Sequence, residues 1–207
     1  MYTPPQFAVD DETARAFLAN VRAADVVTMT ADGLVATFLP LLFDPGVGEH
    51  GALRGHVARK NDQWKREPVA EALVIVHGDD AYITPSWYPS KAEHGRVVPT
   101  WNYMTAHVFG PLVVHDDPEW VAENVRRLTE RHEAGRAAPW SVDDAPPEFH
   151  AGQLRAIVGI EVLIDRVEAK FKMSQNRRDA DIDGVVAGLA ADGLDTVAGA
   201  VDRLRRQ

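Results

Sequence analysis

Two β-rich runs, Asp25–Thr30 and Leu34–Phe43, joined across Ala31–Asp32–Gly33, constrain this chain's fold more than any other feature. Asp-Gly between such runs is a strong hairpin signal, because glycine supplies the positive φ of a tight turn. The pattern then repeats. Pro45, Gly46 and Gly48 mark a loop before a third strand near Ala52–Ala58. Ala72–Val76 and Ala81–Thr84 read as a second hairpin around His77–Gly78–Asp79–Asp80, and a strand is expected around Asn102–Val114. Leu154–Val167, rich in Ile and Val, predicts one long, mostly buried strand.

Helical spacing is confined to short stretches between or after these runs. Ala14, Phe17, Leu18 and Val21 follow an acidic start, and Asp116–Asp117–Pro118 is a good cap for a helix over Glu119–His132. A short helix is expected over Glu148–Gly152, and two more over Asp183–Ala190 and Leu194–Arg205. Six or more short strands with about four helices favour an antiparallel barrel with helical additions over a doubly wound parallel sheet. The expected class is mainly β with α additions (α+β), helices packed outside. One domain over 1–207 is expected, its last part, about 178–207, a C-terminal helical tail.

Composition narrows the chemistry. There is no cysteine, so disulfides, thiolate metal sites and thiol nucleophiles are excluded. Lys plus Arg number 22 against 31 Asp plus Glu, a net charge of -9. Duplex binding draws its non-specific affinity from cations, so direct nucleic-acid binding is not expected. No apolar run is long enough to span a membrane, and the opening MYTPPQFAVDD does not read as a signal peptide, so a cytoplasmic protein is expected. The eight histidines show neither HExxH nor HxH spacing, and no dedicated metal site is expected.

Three segments carry the remaining chemistry. The first runs from Trp87–Tyr88 to Thr100–Trp101–Asn102–Tyr103, beside Lys91, His94 and Arg96. Rings next to cations in a Pro-rich loop suit a planar, anionic ligand, although the same rings could simply plug the end of a barrel. The second is His56 with Arg59–Lys60–Asn61, at a strand end with Trp64 beyond; it could hold a phosphate or be a solvated loop. The third, Lys170–Arg178, has four cations and no acid, and could close over a phosphate or be an exposed basic turn. GxxxxGK[ST] does not occur.

Together these segments resemble the PaiB-type family, known as FMN-binding negative transcriptional regulators. The resemblance rests on Met1–Tyr2, Pro4–Phe7, Leu39–Pro40–Leu41, Gly55–His56 and Asn61–Trp64. Its most specific parts are Ala81–Tyr88, Val98–Tyr103 with His107, and Lys172–Arg177. It implies an antiparallel split β-barrel of the FMN-binding type and a homodimer with the cofactor at the subunit interface. It makes Arg59 and Lys60 candidates for the FMN phosphate. Thr100, Trp101, Asn102 and Tyr103 become candidates for the ring or ribityl chain, and Gln175, Asn176 and Arg177 for closing the site. A small oxidoreductase or a flavin-dependent sensor is the implied role. Two alternatives stay open: a haem enzyme of the piperazate-synthase-like or haem-degrading kind, with His56 or His107 as iron ligand, and a repressor without redox chemistry. No residue stands out as a catalytic acid or base.

Overall fold

The computed structural model describes residues 1–205. Among them the chain order is α1 (Asp11–Ala19), β1 (Ala23–Thr30), β2 (Gly33–Pro40), β3 (Leu42–Asp44), β4 (Ala52–Ala58), β5 (Ala72–Ile83) and α2 (Ser90–His94). Then follow β6 (Thr100–Gly110), β7 (Leu112–His115), α3 (Pro118–Glu133), α4 (Pro147–Arg155), β8 (Ile157–Leu163), β9 (Arg166–Lys172), α5 (Asp179–Ala191) and α6 (Asp195–Leu204). One sheet has the order β2-β1-β5-β6-β9 and the other β3-β4-β8-β7. The β1–β2, β1–β5, β3–β4, β4–β8 and β7–β8 ladders are all antiparallel. This is the antiparallel α+β class that the sequence predicts.

The Asp-Gly hairpin forms as expected. Thr30 pairs with Gly33, which takes a φ of 113°. The expected second hairpin does not form, because Ala72–Ile83 is one continuous strand. Gly78, Asp79 and Asp80 all keep negative φ, so the positive φ of a tight primed turn is absent. Leu154–Val167 is likewise not one strand. Leu154 and Arg155 end α4, and β8 and β9 belong to different sheets. The break has a backbone cause: the Ile164 and Asp165 N–H groups bond the carbonyls of Gly51 and Phe109. Pro111, which has no N–H to give a ladder, separates β6 from β7.

The chain divides into two compact, interleaved units. One comprises Met1–Asp11, His77–Ala106 and Glu168–Gln207. Its core gathers Ala81, Ile83, Tyr88 and Met173 with Ile182, Val185 and Leu189 of α5 and Val197 and Val201 of α6. The two C-terminal helices of the expected tail are present and pack into this core, while positions 206 and 207 lie outside the described residues. Gly184 and Gly188 let α5 approach Trp87 closely: a Cβ at Gly184 would stand 1.9 Å from the Trp87 carbonyl oxygen.

The other unit comprises Glu12–Val76 and His107–Val167, with Val26, Leu41, Leu53, Val74, Val158 and Val162 among its buried residues. A polar layer lies on the face of β4 and β8. Arg54 donates to Asp44 and to the buried Glu161, each at 2.6 Å, and Glu161 meets His115 Nε2 at 3.2 Å. The His115 ring stacks on Trp120 at 4.0 Å, and only a glycine at position 159 leaves room for the Trp120 ring.

Candidate functional site

The expected site residues fall in both units. His56, Arg59, Lys60, Asn61 and His107 lie in the second unit, and Lys91, Thr100–Tyr103 and Gln175–Arg177 in the first. In the second unit most of these groups already have partners. Arg59, just past β4, donates to both carboxylate oxygens of Asp116, at 2.9 and 2.5 Å, and to the carbonyls of Arg155 and Ile157. Asn61 donates to Thr37 Oγ1 and accepts from the Gln63 N–H, which shapes the turn after β4. Lys60 is exposed. His56, within β4, has a buried Nδ1 without a hydrogen-bond partner among the described residues, and burial lowers its pKa, which favours the neutral imidazole. His107, on β6, meets Phe109 edge-on at 6.4 Å.

The first unit assembles a denser group around the β6 start and the turn after β9. Alternation along β9 puts Lys170 and Lys172 on one face. The Lys172 ammonium donates to Thr100 Oγ1 and, at 2.9 Å, to the Trp101 carbonyl. Both are neutral acceptors. Burial lowers the Lys172 pKa; the nearby Tyr103 opposes this, while Lys170 and Arg177 push it further down. Lys170 itself is 9% exposed, donates to the Tyr2 carbonyl and lies 5.3 Å from the Tyr103 ring centroid. Arg177 sits 4.8 Å over the Tyr88 ring. Burial raises the Tyr88 pKa while the Arg177 charge opposes it.

The turn carrying Arg177 is held from within. Ser174 has a φ of 67°, the left-handed region that a side chain rarely enters. Fully buried Asn102 donates to Ser174 Oγ at 2.9 Å and accepts from the same hydroxyl at 3.2 Å. Gln175 closes the turn, accepting from the Met173 N–H and donating to the Phe171 carbonyl, both at 2.6 Å. Asn102 and Gln175 therefore spend their amides on the turn. Trp101 is 50% exposed, donates its indole N–H to Asp80 at 2.8 Å and leans on Tyr82, also 50% exposed. Lys91 is exposed, bonds Ser86 and lines an open depression of about 490 Å3 with Trp87, Tyr88 and Pro89.

Lys172 and Lys170 were absent from the expected contact residues. The four-cation stretch was visible in the sequence, and reading it with a strand period of two would have put both lysines on one face. A half-buried ammonium that meets only neutral oxygens while other cations crowd it is poised for an anion. Beside it stand exposed rings with planar surfaces. Lys172, Lys170 and Arg177 could hold a phosphate group.

Residues 1–166 match a family model described as "Putative FMN-binding domain". The chain is 33% identical to "Protease synthase and sporulation protein PAI 2" of Bacillus subtilis, over 91% of this chain and 89% of that protein. Among solved structures it is similar to the flavocytochrome Anf3 of Azotobacter vinelandii, at a TM-score of 0.58 and 17% identity, over 78% of this chain and 67% of that one. It is also similar to the FAD and heme binding protein of Mycobacterium smegmatis, at a TM-score of 0.57 and 18% identity, over 86% and 79%. At these identities the structural likenesses speak to the fold alone, an antiparallel split-barrel α+β fold. The end-to-end relation and the family match together place this chain in the PaiB-type FMN-binding family.

Proposed function

We propose that this chain is an FMN-dependent flavoprotein, acting as a small oxidoreductase or a flavin-dependent sensor, with the phosphate held by Lys172 and Arg177. The observation that carries this reading is the Lys172 ammonium, partly desolvated, bonded to neutral oxygens and crowded by Lys170 and Arg177. A phosphate supplies the missing counter-charge and converts a repulsive cluster into charge-assisted hydrogen bonds. Trp101 and Tyr82 offer half-exposed rings for a flat ligand. Bound FMN supplies hydride or electron transfer; the chain binds and orients it.

The test is an FMN titration followed by flavin fluorescence. Replacing Lys172 with Met or Arg177 with Ala should weaken binding by about 10- to 150-fold, the worth of a charged hydrogen bond of about 1.5–3 kcal/mol. Unchanged affinity in both variants refutes the phosphate assignment.

A haem reading has one observation in its favour: the buried Nδ1 of His56 has no partner among the described residues, and burial favours its neutral form. Neutral imidazole is what iron ligation requires. The visible spectrum of the purified protein separates the two, since flavin gives two broad bands and haem a sharp Soret band. We further propose a homodimer. Leu34 and Phe38 on edge strand β2 are 70% and 68% exposed, a face that a second copy would cover. Among the described residues no helix is long and apolar enough to cross a membrane.

A further inference from the structure

We infer that the second unit carries a binding site for a small apolar carboxylic acid, in a cleft between the start of α3 and the end of α4. The cleft has a volume of about 280 Å3, close to the lower limit of about 300 Å3 for ordinary ligand sites. Its walls are Pro118, Val121, Ala151, Leu154 and Ile157, and all five are apolar. The polar groups lining it are Arg59, Asp116 and Arg155.

Two of these three cancel. Arg59 and Asp116 form a bidentate pair, and the Arg59 guanidinium is fixed further by the Arg155 and Ile157 carbonyls. Arg155 is exposed, and among the described residues no carboxylate pairs with it. Arg155, at the end of α4, is therefore the lining cation that no carboxylate neutralises among the described residues, beside an apolar pocket. An arginine fork recognises a carboxylate bidentately, while the walls take an uncharged ring or a branched alkyl group. A dianion with a polar body, such as a sugar phosphate, would leave the walls uncovered and its hydroxyls unpaired. Neither Lys172 nor Arg177 takes part, and Arg59 does so only as the partner of Asp116.

Benzoate is the probe, titrated into the full-length protein as purified and followed by calorimetry. Saturable binding is expected, with benzamide, its neutral analogue, at least tenfold weaker. Arg155→Gln should lower benzoate affinity at least tenfold, and Ala151→Trp, which fills the cleft from its exposed rim, should abolish binding. Both substitutions sit on exposed helix positions, and thermal unfolding verifies that they fold. Lys172→Met should leave benzoate affinity unchanged, which separates this site from the phosphate assignment. Absence of saturable binding, equal affinity for benzamide, or indifference to both cleft variants overturns the inference.

Discussion

At position 174 a serine holds a backbone conformation that glycine adopts more readily, with a φ of 67°. The hydroxyl accounts for its presence, since it both donates to and accepts from the buried Asn102 amide. Removing the hydroxyl leaves that amide unsatisfied, so Ser174→Ala should cost about 1–3 kcal/mol in a urea unfolding midpoint. Ser174→Gly loses the same bonds but gains conformational ease, and should cost about 1 kcal/mol less than the alanine change. Equal losses would show that the left-handed backbone carries no strain. Lys172 makes a second residue-scale prediction. Its lowered pKa means that it loses its charge at a pH where an ordinary lysine keeps it. FMN affinity should therefore fall as pH rises through that lowered value. Lys172→Arg should remove this fall, because a guanidinium stays charged throughout. The titration is by fluorescence, and an identical pH profile in both proteins would take Lys172 out of the phosphate contact.

Helix α5 exists as packed because two of its positions have no side chain. Intrinsic propensity favours alanine over glycine within a helix by about 1 kcal/mol. Sterics oppose this at Gly184, where a Cβ would meet the Trp87 carbonyl at 1.9 Å, and at Gly188, where it would meet the Trp87 ring at 2.3 Å. A backbone oxygen cannot swing aside, so the steric cost wins. Gly184→Ala should destabilise by more than about 2 kcal/mol, read as a lower Tm, whereas propensity alone would raise it. The same helix supplies Asp181, buried at 4% exposure, which accepts from both the N–H and the hydroxyl of Ser90. The glycines of this helix are plain in the sequence, but they read there as weak helix formers. Their purpose is visible only once Trp87 lies against them, because contact between distant segments leaves no local signal.

For the whole molecule, pH is the broadest lever on stability. Burial raises the pKa of Asp181, but the Ser90 bonds and the charges of Arg178 and Arg177 outweigh it, so the net shift is downward. Asp44 behaves alike: burial raises it, and the Arg127 and Gly46 hydrogen bonds with the Arg127 and Arg54 charges bring it below the usual range. A carboxyl depressed in the folded state stabilises above its unfolded pKa, and that contribution is lost as pH falls through the folded value. Stability should thus be steady near neutrality and decline below the ordinary carboxylate range, with Ser90→Ala shrinking the acid-dependent part. An acid-induced decline of equal size in that variant would exclude Asp181 as a contributor. What the sequence determined by itself was local or additive: the Asp32-Gly33 turn, the cap at Asp117, the antiparallel α+β class, the net charge and the motifs that identify the family. Tertiary structure decided the rest. It kept Ala72–Ile83 extended through a polar stretch that looked like a turn, and it parted β8 from β9 through hydrogen bonds to Gly51 and Phe109. It also committed Arg59 to Asp116 and left Lys172 among neutral oxygens. In each case a side chain or strand answers to partners far away in sequence, and neither spacing nor composition encodes which distant group will meet it.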